Sequence, residues 1–99
     1  MSIEKKKLYV LVRKDLDKSY QAVQAGHAVA EWLLHDQSWR NNTLVYLGVD
    51  NEDSLVYWSQ KLSFKGIKYV GFREPDIGNE LTAIAAHTDH KIFNKLKLL

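Results

Sequence analysis

The chain reads as an α/β domain: a three-layer α/β/α sandwich on a four-stranded, mixed but mostly parallel sheet, with elements in the order β-α-β-α-β-β-α. Three observations predict it. Leu8 to Val12, Thr43 to Val49, Lys68 to Phe72 and Leu81 to Ala86 are runs rich in β-formers and too short for helices. Two amphipathic stretches separate the first three runs, and successive strand–helix–strand units favour right-handed crossovers with helices on both faces. Ninety-nine residues, 45% hydrophobic with one Pro and five Gly, suffice for one core, so residues 1–99 form a single domain.

Each element has its own signal. Leu8 to Val12 is continuously apolar, as expected of a strand buried on both faces. Asp17 or Ser19 caps a helix that reaches about His35. Its predicted sheet-facing side is Ala22, Val29 and Leu33, with Ala25 and Gly26 beside them. Gln37 to Asn42 is loop-like, with Trp39 as an anchor, and Thr43 to Val49 is the second strand. Asp50 caps the second helix, whose apolar side is Leu55, Trp58, Leu62 and Phe64 and which Gly66 ends. Arg73 to Glu80 is a polar loop between the third and fourth strands, short enough to suggest antiparallel pairing there. Thr88 or Asp89 starts a short last helix around Ile92, Phe93 and Leu96.

Composition excludes several classes. The chain has no cysteine, so it has no disulfide framework, no thiolate nucleophile and no Cys-ligated metal, which fits a reducing compartment. No apolar run approaches the ~20 residues of a membrane span, and the first apolar segment is too short for a secretory signal. The expectation is a cytoplasmic protein with no membrane contact. The net charge is only +2, but residues 1–18 carry six Lys/Arg against three Asp/Glu and residues 87–99 three against one. If those segments meet in the fold they make a basic surface suited to a polyanion, although Lys5, Lys6 and Lys7 read equally well as a solvated tip. Trp32, Trp39 and Trp58 read as core or interface anchors. His87 and His90, with Asp89 between them, lack the convergent third ligand of a zinc site, so no metal is assigned.

The first helix carries the strongest hint of a site. Tyr20, Gln24, His27 and Glu31 recur at i, i+4, i+7 and i+11 and share one face. Ligands of open α/β sheets lie beyond the carboxyl ends of the strands. Arg13-Lys14-Asp15 follows the first strand and Asp76-Ile77-Gly78 the third, and both face the amino end of the Ser19 helix, where unpaired N–H groups favour an anion.

These same residues carry a resemblance. Arg13-Lys14-Asp15-Leu16 is similar to the R-x-D-L that ends the first strand of type II peptidyl-tRNA hydrolases, and Tyr20 to Ala28 runs in register with that family's K-x-A-A-Q-C-x-H-A helix opening. Asp76-Ile77-Gly78-Asn79-Glu80 resembles its D-A-G-x-T loop, Thr82-Ala83-Ile84-Ala85 its T-V-L-A strand, and Leu96 to Leu99 its closing L-K-L-L. The resemblance implies hydrolysis of the ester between a peptide and the 3′-terminal ribose of tRNA. It also implies tRNA or peptidyl-tRNA as partner, often a homodimer, and no metal or cofactor. In that reading Asp76, alone or with His27, orients or deprotonates the water, and Gln24 or Lys18 stabilises negative charge. Thr82 adds a hydroxyl, and Arg13, Lys14 and Lys18 hold tRNA phosphates.

Each residue also has a structural reading. His27 and Gln24 can tie down neighbouring loops, Asp76 between Pro75 and Gly78 is ordinary turn chemistry, and Thr82 is a β-former. The family's helix lysine aligns with Tyr20 and its loop threonine with Glu80. Those two substitutions favour the alternative, a non-catalytic tRNA- or anion-binding module on the same fold. Another small hydrolase or transferase on this scaffold is a third reading.

Overall fold

The computed structural model describes residues 6–40, 42–89 and 91–99. Four strands, β1 (Lys7–Arg13), β2 (Leu44–Val49), β3 (Val70–Glu74) and β4 (Glu80–Thr88), form one mixed sheet in the order β2-β1-β4-β3. Two helices, α1 (Lys18–His35) and α2 (Glu52–Phe64), follow β1 and β2. Opposite faces of the sheet carry them. Leu8, Val10 and Val12 of β1, with Ala83 and Ala85 of β4, pack under Ala25, Ala28 and Trp32 of α1. Leu11, Leu47, Val49, Ile84 and Ala86 pack with Leu55 and Leu62 of α2. Strand alternation sorts the two sets, and each fully buried Leu, Val or Ile contributes about 1.5–3 kcal/mol.

The expected mostly parallel sheet is not what forms. β1 pairs parallel with β2, but β4 is antiparallel to both β1 and β3. The reason is the short link between Glu74 and Glu80, which permits only an antiparallel return. β4 then enters the sheet between β1 and β3, so two of the three pairings run antiparallel.

The expected last helix is a single 3-10 turn, Lys91–Phe93. So short a segment cannot recover the cost of helix nucleation. The chain instead runs along the outer edge of β2, where the Gly48 N–H donates to Lys97 O and the Leu99 N–H to Tyr46 O, both at 3.0 Å.

Further boundaries move for local reasons. Asp17 caps α1 by accepting from the Tyr20 N–H at 3.1 Å, and Asn51, one residue past Asp50, caps α2 by accepting from the Ser54 N–H. Phe64 points away from the core and is 90% exposed. The sheet-facing side of α1 is Gln24, Ala25, Ala28 and Trp32, while Ala22, Gly26 and Leu33 face outward. The helix is therefore rolled so that Gln24 points inward. Gly66 ends α2 with φ +71°, as the sequence led one to expect. Trp39 anchors its loop through Nε1, which donates to Thr43 O at 2.9 Å.

Two features of the β3–β4 hairpin shape this end of the sheet. β3 extends to Glu74, two residues further than expected, because a residue before proline is confined to extended backbone. In addition, Phe72 pairs with Ala83 and Arg73 with Leu81, which leaves Thr82 as an extra, bulged residue on β4.

Candidate functional site

The carboxyl ends of β1 and β3, the start of β4 and the amino end of α1 converge at one end of the sheet. The bulge turns the Thr82 side chain onto the α1 side, where its hydroxyl donates to Gln24 Oε1 at 2.6 Å. Gln24 Nε2 then donates to Glu74 Oε1 at 2.9 Å. All three residues are buried, Thr82 and Gln24 completely. The other carboxylate oxygen, Glu74 Oε2, accepts from the Asp76 N–H at 3.3 Å. Glu52 of α2 covers the opposite side of the bulge, its Oε2 accepting from the Leu81 N–H at 2.8 Å.

Glu74 is therefore a buried carboxylate with its acceptors filled. The Gln24 amide first, and the Asp76 N–H second, hold its carboxyl below the usual range, so it is ionised at neutral pH. Tyr20, one turn before Gln24, lies beside it. Lost hydration and then the Glu74 and Asp76 charges push the Tyr20 phenol up, so it stays protonated. Asp76 sits in the 3-10 turn Pro75–Ile77, exposed, and its carboxylate makes no hydrogen bond or ion pair with the described residues. Gly78 closes that turn in the left-handed region, at φ +73°. His27 stacks on Phe72 of β3, ring centroids 4.3 Å apart and planes within 6°.

A second cluster lies beside the first. Arg13 donates from Nε and Nη2 to the two oxygens of Asp15, each at 2.9 Å. Its Nη1 donates to Glu80 Oε1 at 2.8 Å and to Leu81 O at 3.2 Å. These bonds raise the Arg13 pKa, the Asp15 bonds most, and the same partner holds Asp15 below its ordinary value. The clamp joins β1 to the bulge of β4.

The sequence-derived candidates divide accordingly. Gln24 and Thr82 meet, with Asp76 and His27 close by; Glu74 joins them, a residue not singled out from sequence although the Glu-Pro step signals its extended backbone. Arg13 is committed to internal carboxylates. The α1 amino end, expected to take an external anion, is occupied by the Asp17 carboxylate. Lys18 projects from the other flank of α1, about 160° around the axis from Tyr20, and lines a groove with Gln21, Ala22, Tyr46 and Leu99. Lys14 also lies there, its stem passing over Gly48 and its Nζ 3.7 Å from Asp50. Lys5 and His90 lie outside the described residues.

Fold and site thus define a small α/β domain with a four-stranded mixed sheet, two helices and a buried polar relay at the carboxyl ends of its strands. No family model matches the chain, and no curated relative matches it. Among solved structures, it is similar to a protein of unknown function from Agrobacterium tumefaciens. The TM-score is 0.73, with 15% identity over 98% of this chain and 99% of that one. At that identity the likeness concerns the fold.

Proposed function

We propose that the protein hydrolyses the ester of a peptidyl-tRNA, with Asp76 as general base. The supporting observation is the relay Thr82–Gln24–Glu74, which buries an ionised carboxylate beside an exposed one whose oxygens are open to water. Glu74 fixes the Asp76 backbone and orients the Tyr20 hydroxyl. Asp76 takes a proton from water as its oxygen attacks the ester carbonyl. The carbon–oxygen bond to the ribose breaks, and Asp76 returns the proton to the departing 3′ hydroxyl. Gln24 and Thr82 are positioning residues here, since both are fully buried. His27, exposed against Phe72, borders the substrate side.

The cytoplasm is the proposed location, in keeping with a cysteine-free chain and with the absence, among the described residues, of a helix long and apolar enough to cross a membrane. A homodimer is the proposed assembly.

The test is release of tRNA from labelled peptidyl-tRNA. Asp76→Asn should lower the rate 10²–10⁴-fold, the usual range for a lost general base, with the fold unchanged. Absence of turnover by the wild-type protein at high concentration would end the hydrolase reading. One observation favours a second reading, a tRNA-binding module without catalysis: Tyr20 stands where the family lysine would be, and Lys18 lies on the far flank of α1. Retention of intact peptidyl-tRNA without hydrolysis would select that module.

A further inference from the structure

From the far flank of α1 around the end of β2 toward α2, four lysines from three separate segments line two neighbouring grooves. α1 packs over β1, β4 and β3, leaving the same face of β2 without a helix above it. Tyr46 lies on that face, opposite Val10 in register. It borders a groove of about 270 Å³ with Lys18, Gln21, Ala22 and Leu99. Gly48 follows on the same face. A side chain there would run into the Lys14 stem at 2.7 Å and meet Leu99 at 3.5 Å, so the lack of one lets both residues cross the strand. Beyond Gly48 a second groove, of about 370 Å³, is lined by Lys14, Lys95 and Lys97 with Val49, Asp50 and Trp58 among its other walls.

The lysines are held in place by backbone structure. Lys97 is fixed by its carbonyl bond to the Gly48 N–H. Lys18 opens α1, and Lys14 continues from the Arg13 clamp. Against these four cations stand Asp50, on Lys14 at 3.7 Å with 82% of its side chain exposed, and Asp17, which is spent on the α1 cap. Among the described residues, Lys18, Lys95 and Lys97 make no ion pair. Sequence segments that are basic at both ends of the chain therefore meet here.

We propose that this flank is a binding track for single-stranded RNA. Tyr46 stacks a base and Lys18, Lys14, Lys95 and Lys97 neutralise successive phosphates. A cationic groove with an interposed aromatic ring binds single strands because every base has a π-face and every linkage a charge. The inference rests on the tRNA reading above and specifies where the unpaired 3′ strand runs. That strand passes the amino end of α1 and delivers its terminal ester to the Tyr20–Glu74–Asp76 side. Arg13, already saturated, takes no part.

The experiment is fluorescence anisotropy with a labelled single-stranded RNA oligonucleotide across a salt series. Four neutralised phosphates give a slope of log K against log salt between about −2 and −3. The double variant Lys95→Gln with Lys97→Gln should bind at least about tenfold more weakly at low salt and flatten the slope by about 1.4. Tyr46→Leu should weaken binding about tenfold with the slope kept. Arg40→Gln with Lys65→Gln, two exposed cations elsewhere, should change neither. Equal affinity in the Lys95/Lys97 variant, equal losses in the Arg40/Lys65 control, or displacement of the RNA by an equal concentration of adenosine monophosphate would overturn the track. Peptidyl-tRNA cleavage is read in parallel. RNA binding that depends on the lysines without cleavage keeps the track and removes the hydrolase, whereas cleavage with lysine-independent RNA affinity removes the track alone.

Discussion

The two flanks of the α1 amino end are built in opposite ways. On the Tyr20 side, polar groups are buried, paired and positioned to within a hydrogen bond: Thr82, Gln24, Glu74 and the Arg13 clamp leave little freedom. On the Lys18 side, charges are exposed, weakly paired and attached by flexible stems. Geometry on the first flank is fixed before any ligand arrives, which suits a group that must meet one reacting atom. The second flank offers potential more than geometry, which suits a polymer recognised by its regular charge. A total charge of +2 conceals this division.

Substitutions should expose the contrast as unequal costs in stability. The largest loss is expected for Gln24→Leu, which removes the Gln24 bonds to the Thr82 hydroxyl and the Glu74 carboxylate and leaves them the longer bonds to Phe72 O and the Asp76 N–H. Urea denaturation should show about 3 kcal/mol, and a loss below about 1 kcal/mol would mean the relay is not structural. Arg13→Met should cost about 2 kcal/mol by the same measurement. It falls below Gln24→Leu because Asp15 and Glu80, with side chains 40% and 44% exposed, regain water when the guanidinium is gone. Asp17→Ala, which uncaps α1, should cost about 1 kcal/mol. Lys95→Gln with Lys97→Gln should stay within about 0.5 kcal/mol of wild type.

Acid sharpens the same comparison. Glu74 and Asp15 have folded pKa values lowered below their unfolded ones. Their stabilisation is therefore fully present above the unfolded value of about 4 and is lost as pH falls through the folded values. Calorimetric melting temperatures should hold between about pH 7 and 5 and drop below about pH 4, less steeply in Glu74→Gln. Tyr20 has the opposite sign: its raised pKa makes the phenol ionise above about 10. Ultraviolet titration should show a late phenolate that Tyr20→Phe removes.

Much of the fold was legible because local rules agreed. β-rich runs, Asp17 as one of two candidate caps and Gly66 as a stop all act within a few residues of themselves. What was not legible depends on partners far along the chain. The roll of α1 follows from Gln24 finding Thr82, 58 residues away, and no helical pattern near Gln24 announces that. The bulge at Thr82 has no local signature, since a β-former there fits a regular strand equally well. Glu74 was hidden among polar neighbours, although the proline after it already required extended backbone. The basic surface required the two terminal segments to meet, and the groove that Lys14 shares with Lys95 and Lys97 meets that condition.

The central position of β4 has a kinetic consequence. β4 follows β1, β2 and β3 in sequence yet lies between β1 and β3, and its register joins Lys7 to Thr88. The β1–α1–β2 unit can collapse early, but the middle of the sheet stays open until β4 is inserted. So much sequence-distant pairing predicts slow folding, on the order of milliseconds to seconds. During that interval the inner edge of β1 is a bare ladder, and aggregation at that edge is the principal hazard for the nascent chain.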